Sequence, residues 1–166
     1  AGILGGALAL SGFLLQTFFS NPIAGPYVLG ISSGAKMMVA LAMIIFLKYY
    51  TLVSSYILII AAFIGSMLSI GFILLLARKI RNMATLLVGG IMIGYICSAV
   101  TDFVVTFAED SDIVNLHGWS QGSFSGMSWS NVKVAALMVG ITLILTFFLS
   151  KPIGAYQLGE MYAQSM

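Results

Sequence analysis

Charged residues are scarce in this chain of 166 residues. Only 7% are Asp, Glu, Lys or Arg, whereas 60% are hydrophobic, and soluble domains carry roughly 25% charged residues. This deficit excludes a water-soluble globular domain. The net charge of only +2 also excludes the basic surface that is typical of nucleic-acid binding. The composition therefore indicates a protein whose partner is the lipid bilayer.

Cysteine and histidine are nearly absent, with one residue of each, Cys97 and His117. A single cysteine cannot form a disulfide within the chain, and these two residues are too few and too far apart to predict a metal or haem site. We therefore expect neither a metal nor a cofactor. An initiator Met and a basic leader are also missing, so we expect the chain to begin within a longer protein.

Long apolar runs are what the sequence has in abundance. A membrane-spanning helix needs about 20 mostly apolar residues, and five such stretches are separated by short polar breaks. They predict spans over residues 2–19, 34–49, 54–77, 85–107 and 132–149. The segment 113–126 is too short and too polar to span, and its Trp and Gly residues predict a short helix at the outer interface. The expected fold is all-α, a polytopic membrane helical bundle forming one transmembrane domain over residues 1–166.

The distribution of cations predicts the orientation of the bundle. Arg78–Arg81 contains three cations and no acid, and each would cost about 2.5–3.5 kcal/mol at the bilayer centre. We therefore place this turn in the cytoplasm. Alternation of the spans then puts Lys36 and Lys151 inside and Lys48 and Lys133 outside, which agrees with the positive-inside rule.

Small residues recur every four positions in three of the spans. The repeats are Gly2/Gly6 in the first, Ala61/Gly65/Ser69 in the third and Gly90/Gly94/Ser98 in the fourth. Such stripes allow helix backbones to approach closely. Pro22 and Pro26 end the first helix, and the span count places the segment Asn21–Gly34 that follows on the cytoplasmic side.

Three local patterns could carry other chemistry. Residues 118–122 match the G-x-S-x-G pattern of serine hydrolases, with His117 adjacent, but that chemistry needs a strand–turn–helix context and a His from elsewhere in the fold. Residues 30–37 match a phosphate-binding loop only in part, because the second Gly is not followed by Lys and Ser or Thr, so we predict no ATP site. Asp102, near the end of the fourth span, favours a solvated acid over a proton relay.

Several segments together resemble one family of membrane proteins. They are Gly6–Gly12, Asn21–Pro26, Leu29–Ala35, Leu86–Gly90, Trp119 with Gly122–Gly126, and Leu158–Glu160. In this order they are similar to the permease subunits of type II ABC importers, which take up iron-siderophores, haem and cobalamin.

The resemblance implies a multi-pass protein of the bacterial cell membrane that works as a homodimer, with the translocation pathway along the dimer axis. It also implies two kinds of partner: a cytoplasmic ABC ATPase and an extracytoplasmic substrate-binding protein. ATP hydrolysis would occur on the ATPase, so the chain itself would not be an enzyme and would have no catalytic residue.

The same resemblance assigns roles to individual residues. The cytoplasmic gate would be formed by Asn82, Met83, Ala84 and Thr85. The pathway would be lined by Met92, Tyr95 and Ala99. A hinge and framework motif would comprise Gly12, Gln16, Asn21, Pro22, Gly25, Gly30 and Gly34. An outer loop would include Trp119, Gly122 and Gly126, and the approach to the ATPase would include Leu158, Gly159 and Glu160.

Two alternatives come from other classes of protein. An ion-coupled secondary transporter or channel would use paired intramembrane charges or helices broken at the midplane, and Asp102 is the residue that comes nearest to this pattern. An intramembrane serine hydrolase acting through Ser120 is the second.

Overall fold

The computed structural model describes residues 1–46, 55–80, 82–125 and 127–157, and over these ranges it contains helices and turns without strands. The helices are α1 (Gly2–Phe19), α2 (Ile31–Leu41), α3 (Ser55–Ala77), α4 (Met83–Val105), α5 (Asp110–Gln121), α6 (Trp129–Phe148) and α7 (Ser150–Gln157), and α2 continues into a π-helical turn, Ala42–Phe46. Among the described residues, α1, α4, α6 and residues Tyr56–Ala77 of α3 are long and apolar enough to cross a membrane, and Ile31–Ile44 is a shorter apolar helix. The all-α polytopic membrane bundle is therefore confirmed.

The chain divides into two compact units. The central unit is Pro26–Ser123 and contains α2 to α5, whereas the terminal unit combines Ala1–Gly25 with Phe124–Met166 and contains α1, α6 and α7. The chain passes between the units at Gly25–Pro26 and at Ser123–Phe124. Both crossings fall in segments that the sequence marks with proline or glycine.

The core of the central unit is built on α2, which packs against both α3 and α4. Val39, Ala40 and Met43 are buried there, together with Leu116 of α5. These side chains are small or flexible, so the helices that they join lie close together. Burial of Leu116 fixes α5 beside α2.

The terminal unit is loosely packed by comparison. Helix α1 contacts α6 and α7, and Phe18 stacks on Tyr156 with ring centroids 6.2 Å apart. No residue of α6 is buried, and Phe147 and Phe148 are 75% and 76% exposed. An apolar helix exposed on all sides needs lipid or further protein around it.

Two helix ends differ from the sequence-based expectation. Lys151 and Pro152 do not close the fifth span: α6 ends at Phe148, and both residues lie in the first turn of α7. Proline is tolerated there because the amide that it lacks would have no partner within the helix. The second span begins at Ile31 rather than at residue 34, and its predicted end lies outside the described residues.

Candidate functional site

The first turn of α2 lies directly on the backbone of α4. Gly30 precedes α2 with φ of 70°, a left-handed conformation that favours glycine. A Cβ atom at Gly30 would lie 2.7 Å from the amide nitrogen of Gly94 and 2.8 Å from the carbonyl oxygen of Gly90. Neither atom can move without displacing α4, so only glycine fits at position 30.

A second contact of the same kind joins α2 to α3. A Cβ atom at Gly34 would lie 2.7 Å from the carbonyl oxygen of Gly65 and would also meet the hydroxyl of Ser69. A Cβ atom at Gly65 would in turn lie 2.7 Å from the carbonyl carbon of Gly34. The small-residue stripes of α3 and α4 therefore allow the close packing that they predict.

The small residues of α1 have no such contact. Within the described parts of the chain, a Cβ atom at Gly2, Gly5, Gly6 or Gly12 would meet no atom within 4 Å. Small-residue spacing therefore predicts where backbones can approach, but not which stripes are paired inside this chain.

Helix α2 starts halfway along its neighbours. Gly94 lies at the middle of α4 and Gly65 near the middle of α3, and these are the residues that contact Gly30 and Gly34. The expectation that Asn21–Gly34 lies at the cytoplasmic end is therefore wrong for Gly30 and Gly34. The physical reason is that Gly30 and Gly34 pack on the backbones of Gly94 and Gly65, and the turns over residues 21–30 precede this contact.

A polar cavity of about 420 Å³ lies beside this half-length helix. It is lined by Tyr27, Ser32, Ser33, Ala35, Lys36, Ser98, Trp119 and Ser120. Ser98 is 15 residues beyond Met83, which is about 22 Å along α4 at 1.5 Å per residue. Lys36 shares the cavity with Ser98, so it lies far from the turn at Arg78 and not at the inner end where alternation places it.

Helix α5 folds back along the bundle rather than lying apart from it. It follows the end of α4 at Val105, yet its last turn brings Trp119 and Ser120 to the cavity that Ser98 also lines. Leu116 anchors it in the core against α2. The short helix predicted at 113–126 exists as Asp110–Gln121, and it packs against α2 and the π-helical turn. Its position at the outer interface stays a prediction.

The predicted gate residues form the start of α4. The side-chain oxygen of Asn82 accepts hydrogen bonds from the amides of Ala84, at 2.9 Å, and Thr85, at 3.4 Å. Asn82 is thus the N-cap, and it stabilises the first turn of α4. Met83, Ala84 and Thr85 are exposed, so no other side chain of the described residues buries this first turn of α4.

The predicted pathway residues share one face of α4. Met92, Tyr95 and Ala99 are all exposed, Tyr95 at 70%. The opposite face carries Ile93 and Cys97, which are buried. Helix α4 therefore presents an open apolar face on the side away from α2 and α3.

The predicted hinge motif spans the end of α1 and the turn after it. Ser20 ends α1 in a left-handed conformation with φ of 47°. The side-chain oxygen of Asn21 accepts a hydrogen bond of 2.9 Å from the amide of Ile23, which forms an Asx turn around Pro22. Gln16, Asn21 and Pro22 line a small cavity with Gln157, while Gly12 and Gly25 meet no described atom within 4 Å of a built Cβ.

The outer-loop residues are only partly brought together. Trp119 is half-buried at the polar cavity, whereas Gly122 ends α5 with φ of 74°. This positive φ requires glycine or imposes strain. Gly126 and the residues expected to approach the ATPase, Leu158, Gly159 and Glu160, lie outside the described residues.

The serine and histidine of the hydrolase pattern do not form a catalytic pair. The hydroxyl of Ser120 donates to the backbone carbonyl of His117 at 2.9 Å. The Nε2 atom of His117 lies 2.8 Å from the side-chain nitrogen of Gln121. All three residues lie on α5, so the strand–turn–helix geometry that a serine nucleophile needs is replaced by a helix. Asp102 is exposed in the last turns of α4, which suits a solvated acid.

Sequence reasoning missed the polar cavity. A signal was present, because a lysine inside an apolar run is by default a sign of function in a membrane protein. The sequence does not show that Ser98 and Ser120, far away in the chain, lie beside Lys36. Only the packing of α4 and α5 against α2 brings them together.

Comparison with known proteins places these features in a wider group. Residues 1–166 match the model of the FecCD transport family. The chain is 35% identical over 159 residues to the hemin transport system permease protein HmuU of Yersinia pestis, covering 95% of this chain and 48% of that protein. It is 32% identical over 166 residues to the vitamin B12 import system permease protein BtuC of Klebsiella pneumoniae, covering 99% and 48%.

A solved structure gives the same picture of the fold. A chain described as an inward-facing metal-chelate type ABC transporter superposes with a TM-score of 0.83 at 23% identity, covering 98% of this chain and 51% of that one. At this identity the likeness concerns the fold alone. The chain thus spans about half the length of the relatives that it matches.

Proposed function

The chain belongs to the FecCD transport family, and on this premise we propose that it is part of the transmembrane permease subunit of an ATP-driven importer. The cargo class would be haem, cobalamin or iron-siderophore. The observation that carries the proposal is the family match over the whole chain, together with relatives that import haem and vitamin B12. Members of this family are transporter components and not catalytic subunits.

The partners follow from the same premise. ATP would be bound and hydrolysed by a separate cytoplasmic ABC ATPase, a second permease copy would complete the pathway, and an extracytoplasmic binding protein would deliver cargo. The whole assembly would lie in the cell membrane of a bacterium. The open apolar faces of α4 and α6 support this, because each needs lipid or another protein chain to cover it.

Alternating access would come from movement between packed bodies. Two compact units are joined at Gly25–Pro26 and Ser123–Phe124, next to the predicted hinge at Asn21–Pro22 and the predicted outer loop at Gly122–Gly126. Within the central unit, direct backbone contacts between glycines hold α2, α3 and α4 together. We propose that the central unit moves as one body and that the turns at its two ends absorb the change.

The gate and pathway assignments are part of this proposal. The turn Asn82–Thr85 would close the inner end of the pathway. Met92, Tyr95 and Ala99 would line it, because they form the exposed face of α4. Met92 would suit a surface that must accommodate a large cargo, since its unbranched side chain adapts easily.

Uptake in a defined system tests the function. The full-length permease would be copurified with its ATPase and binding protein and placed in proteoliposomes, and haemin, cyanocobalamin and ferrichrome would each be offered with ATP inside. We expect uptake of one class of cargo that stops when the ATPase carries a substitution of its Walker A lysine. Failure to recover any ATPase, or equal uptake with the inactive ATPase, would contradict the importer proposal.

One observation favours the ion-coupled alternative. Helix α2 starts at the middle of the bundle beside Lys36, and secondary transporters use such broken helices near the midplane to bind substrates and ions. The same proteoliposomes distinguish the two, because an imposed ion gradient without ATP would then drive uptake. The family match makes the importer the better supported function.

A further inference from the structure

We propose that the polar cavity of the central unit is an oxyanion-binding site that accepts a carboxylate or phosphate group. It is lined by one cation, Lys36, by four serines, and by Tyr27 and Trp119. The structure assigns Lys36 as the charged anchor of this site, with Ser32, Ser33 and Ser98 around it.

Lys36 lies where a charge is costly. The cavity is more than half the length of α4 away from the turn at Arg78, and it lies beside α4, which is long enough to span the membrane. An unpaired lysine at the bilayer centre costs about 2.5–3.5 kcal/mol on insertion scales. A charge kept at such a depth needs a counter-charge or water, and the cavity supplies room for either.

The counter-charge does not come from the described residues. Lys36 is half-buried, and over residues 1–46, 55–80, 82–125 and 127–157 it has no ion pair or side-chain hydrogen bond. The acidic residues within these ranges are Asp102, Glu109, Asp110 and Asp112. None of them lines the cavity. A bound anion would supply what the chain lacks.

The hydroxyls around Lys36 are also available. Ser32, Ser33 and Ser98 make no side-chain hydrogen bond to any described residue. Ser32 and Ser33 precede Lys36 by four and three positions, so they share its face of α2, and a helical side chain leans toward the N-terminus of its helix. Lys36 and both hydroxyls therefore converge on the start of α2.

The start of α2 adds to the attraction for an anion. Gly30 caps the helix without a side-chain hydrogen bond, so the first amides of α2 receive no cap. A helix N-terminus carries partial positive charge and binds anions through such amides. The lysine, the serine hydroxyls and the helix end would all attract an anion or donate hydrogen bonds to it. We therefore assign an oxyanion to this site rather than a metal ion.

The oxyanion can come from two sources, an acidic group of the imported cargo or the phosphate of an anionic lipid. A cargo group as the source rests on the proposed function. The proposal that the cavity binds an oxyanion does not depend on that function. A cavity of about 420 Å³ is at the small end of the range of ligand pockets, roughly 300–1,000 Å³, so we expect it to hold a side group and not a whole macrocycle.

Chemical footprinting of lysines tests the site without requiring transport. The complete permease complex in nanodiscs would be treated with an amine-acylating reagent, and acylation of each lysine followed by mass spectrometry. We expect phosphate, haemin or cyanocobalamin to slow acylation of Lys36 by about tenfold, because a charge-assisted hydrogen bond is worth that much or more. Lys133 and Lys151, which are exposed, are the internal controls and should not change.

Two comparisons distinguish an acidic group of the cargo from a lipid phosphate. Protection by haemin but not by its dimethyl ester identifies a cargo carboxylate, and protection in phosphatidylglycerol but not phosphatidylcholine nanodiscs identifies a lipid phosphate. Ser98→Ala should weaken either protection, while Lys133→Met should not. Lys36 acylated at the same rate as Lys133 in every arm would overturn the proposal. Protection of Lys36 in a complex that shows no ATP-driven uptake would keep the site and reject the importer.

Discussion

The contact between Gly34 and Gly65 predicts a large difference between two glycines of the same helix. Both Gly65 and Gly71 lie in α3. A Cβ atom at Gly65 would overlap the carbonyl of Gly34 and lie 2.7 Å from its carbon, whereas a Cβ atom at Gly71 would meet nothing within 4 Å. Gly65→Ala and Gly71→Ala are therefore a matched pair that differ only in what the added methyl group meets.

The expected magnitude follows from these distances. Carbon atoms in contact are normally about 3.5–4.0 Å apart, so the Gly65→Ala methyl group would require α2 and α3 to separate by roughly 1 Å. Overpacking of this kind typically costs 1–3 kcal/mol, set against about 1 kcal/mol that alanine gains over glycine in a helix. We expect Gly65→Ala to lower the free energy of unfolding by up to about 2 kcal/mol and Gly71→Ala to raise it by up to about 1 kcal/mol, so the two variants should differ by about 1–3 kcal/mol.

Unfolding of the purified full-length permease would measure this difference. The protein in mixed micelles would be titrated with sodium dodecyl sulfate and helix loss followed by circular dichroism, with Gly12→Ala in α1 as a second control that meets no described atom. Equal unfolding midpoints for Gly65→Ala and Gly71→Ala would refute the assignment of this contact. Loss of stability in Gly12→Ala alone would locate the close packing in α1 instead.

Three further predictions rest on the described contacts and exposures. Asn82→Ala removes the cap of α4 and should cost about 1 kcal/mol in the same titration, whereas Asn82→Asp should retain most of it. Ser120→Ala should keep full uptake, and fluorophosphonates should not label Ser120, because its hydroxyl donates a hydrogen bond to a backbone carbonyl. Loss of uptake in the variant together with labelling of Ser120 would instead support the serine hydrolase. In a Cys97→Ser background, a cysteine replacing exposed Tyr95 should react with a methanethiosulfonate reagent about tenfold faster than a cysteine replacing buried Ile93. If the exposed face of α4 lines the pathway, added cargo should slow the reaction at position 95 and not at position 93.

The fold illustrates which features of a membrane protein are encoded locally. Apolar length is a property of a single segment, so the ends of α1 and α3 were predicted to within one residue and those of α6 to within three. The start of α4 depends on the Asn82 cap, which is also local. Residues 47–54 lie outside the described residues, so the end of the second span at residue 49 stays a prediction.

The start of α2 could not be read in the same way. Its depth depends on Gly30 and Gly34 meeting the middle of α3 and α4, and no property of residues 21–34 reports on partners more than thirty positions away in sequence. The same holds for α5. Its polar and aromatic residues predict a position at an interface, and only the tertiary structure shows that Leu116 packs against α2.

The sequence by itself determined the class of the protein, the order of its apolar helices, its family and the break at Asn21–Pro22. It could do so because hydropathy, helix length and motif order are properties of the chain taken in order. Only the tertiary structure decided which glycine stripes are paired, how deep α2 begins, and that Lys36 and Ser98 share one cavity. Those outcomes depend on the approach of backbones that are distant in sequence, and spacing permits such an approach without selecting its partner.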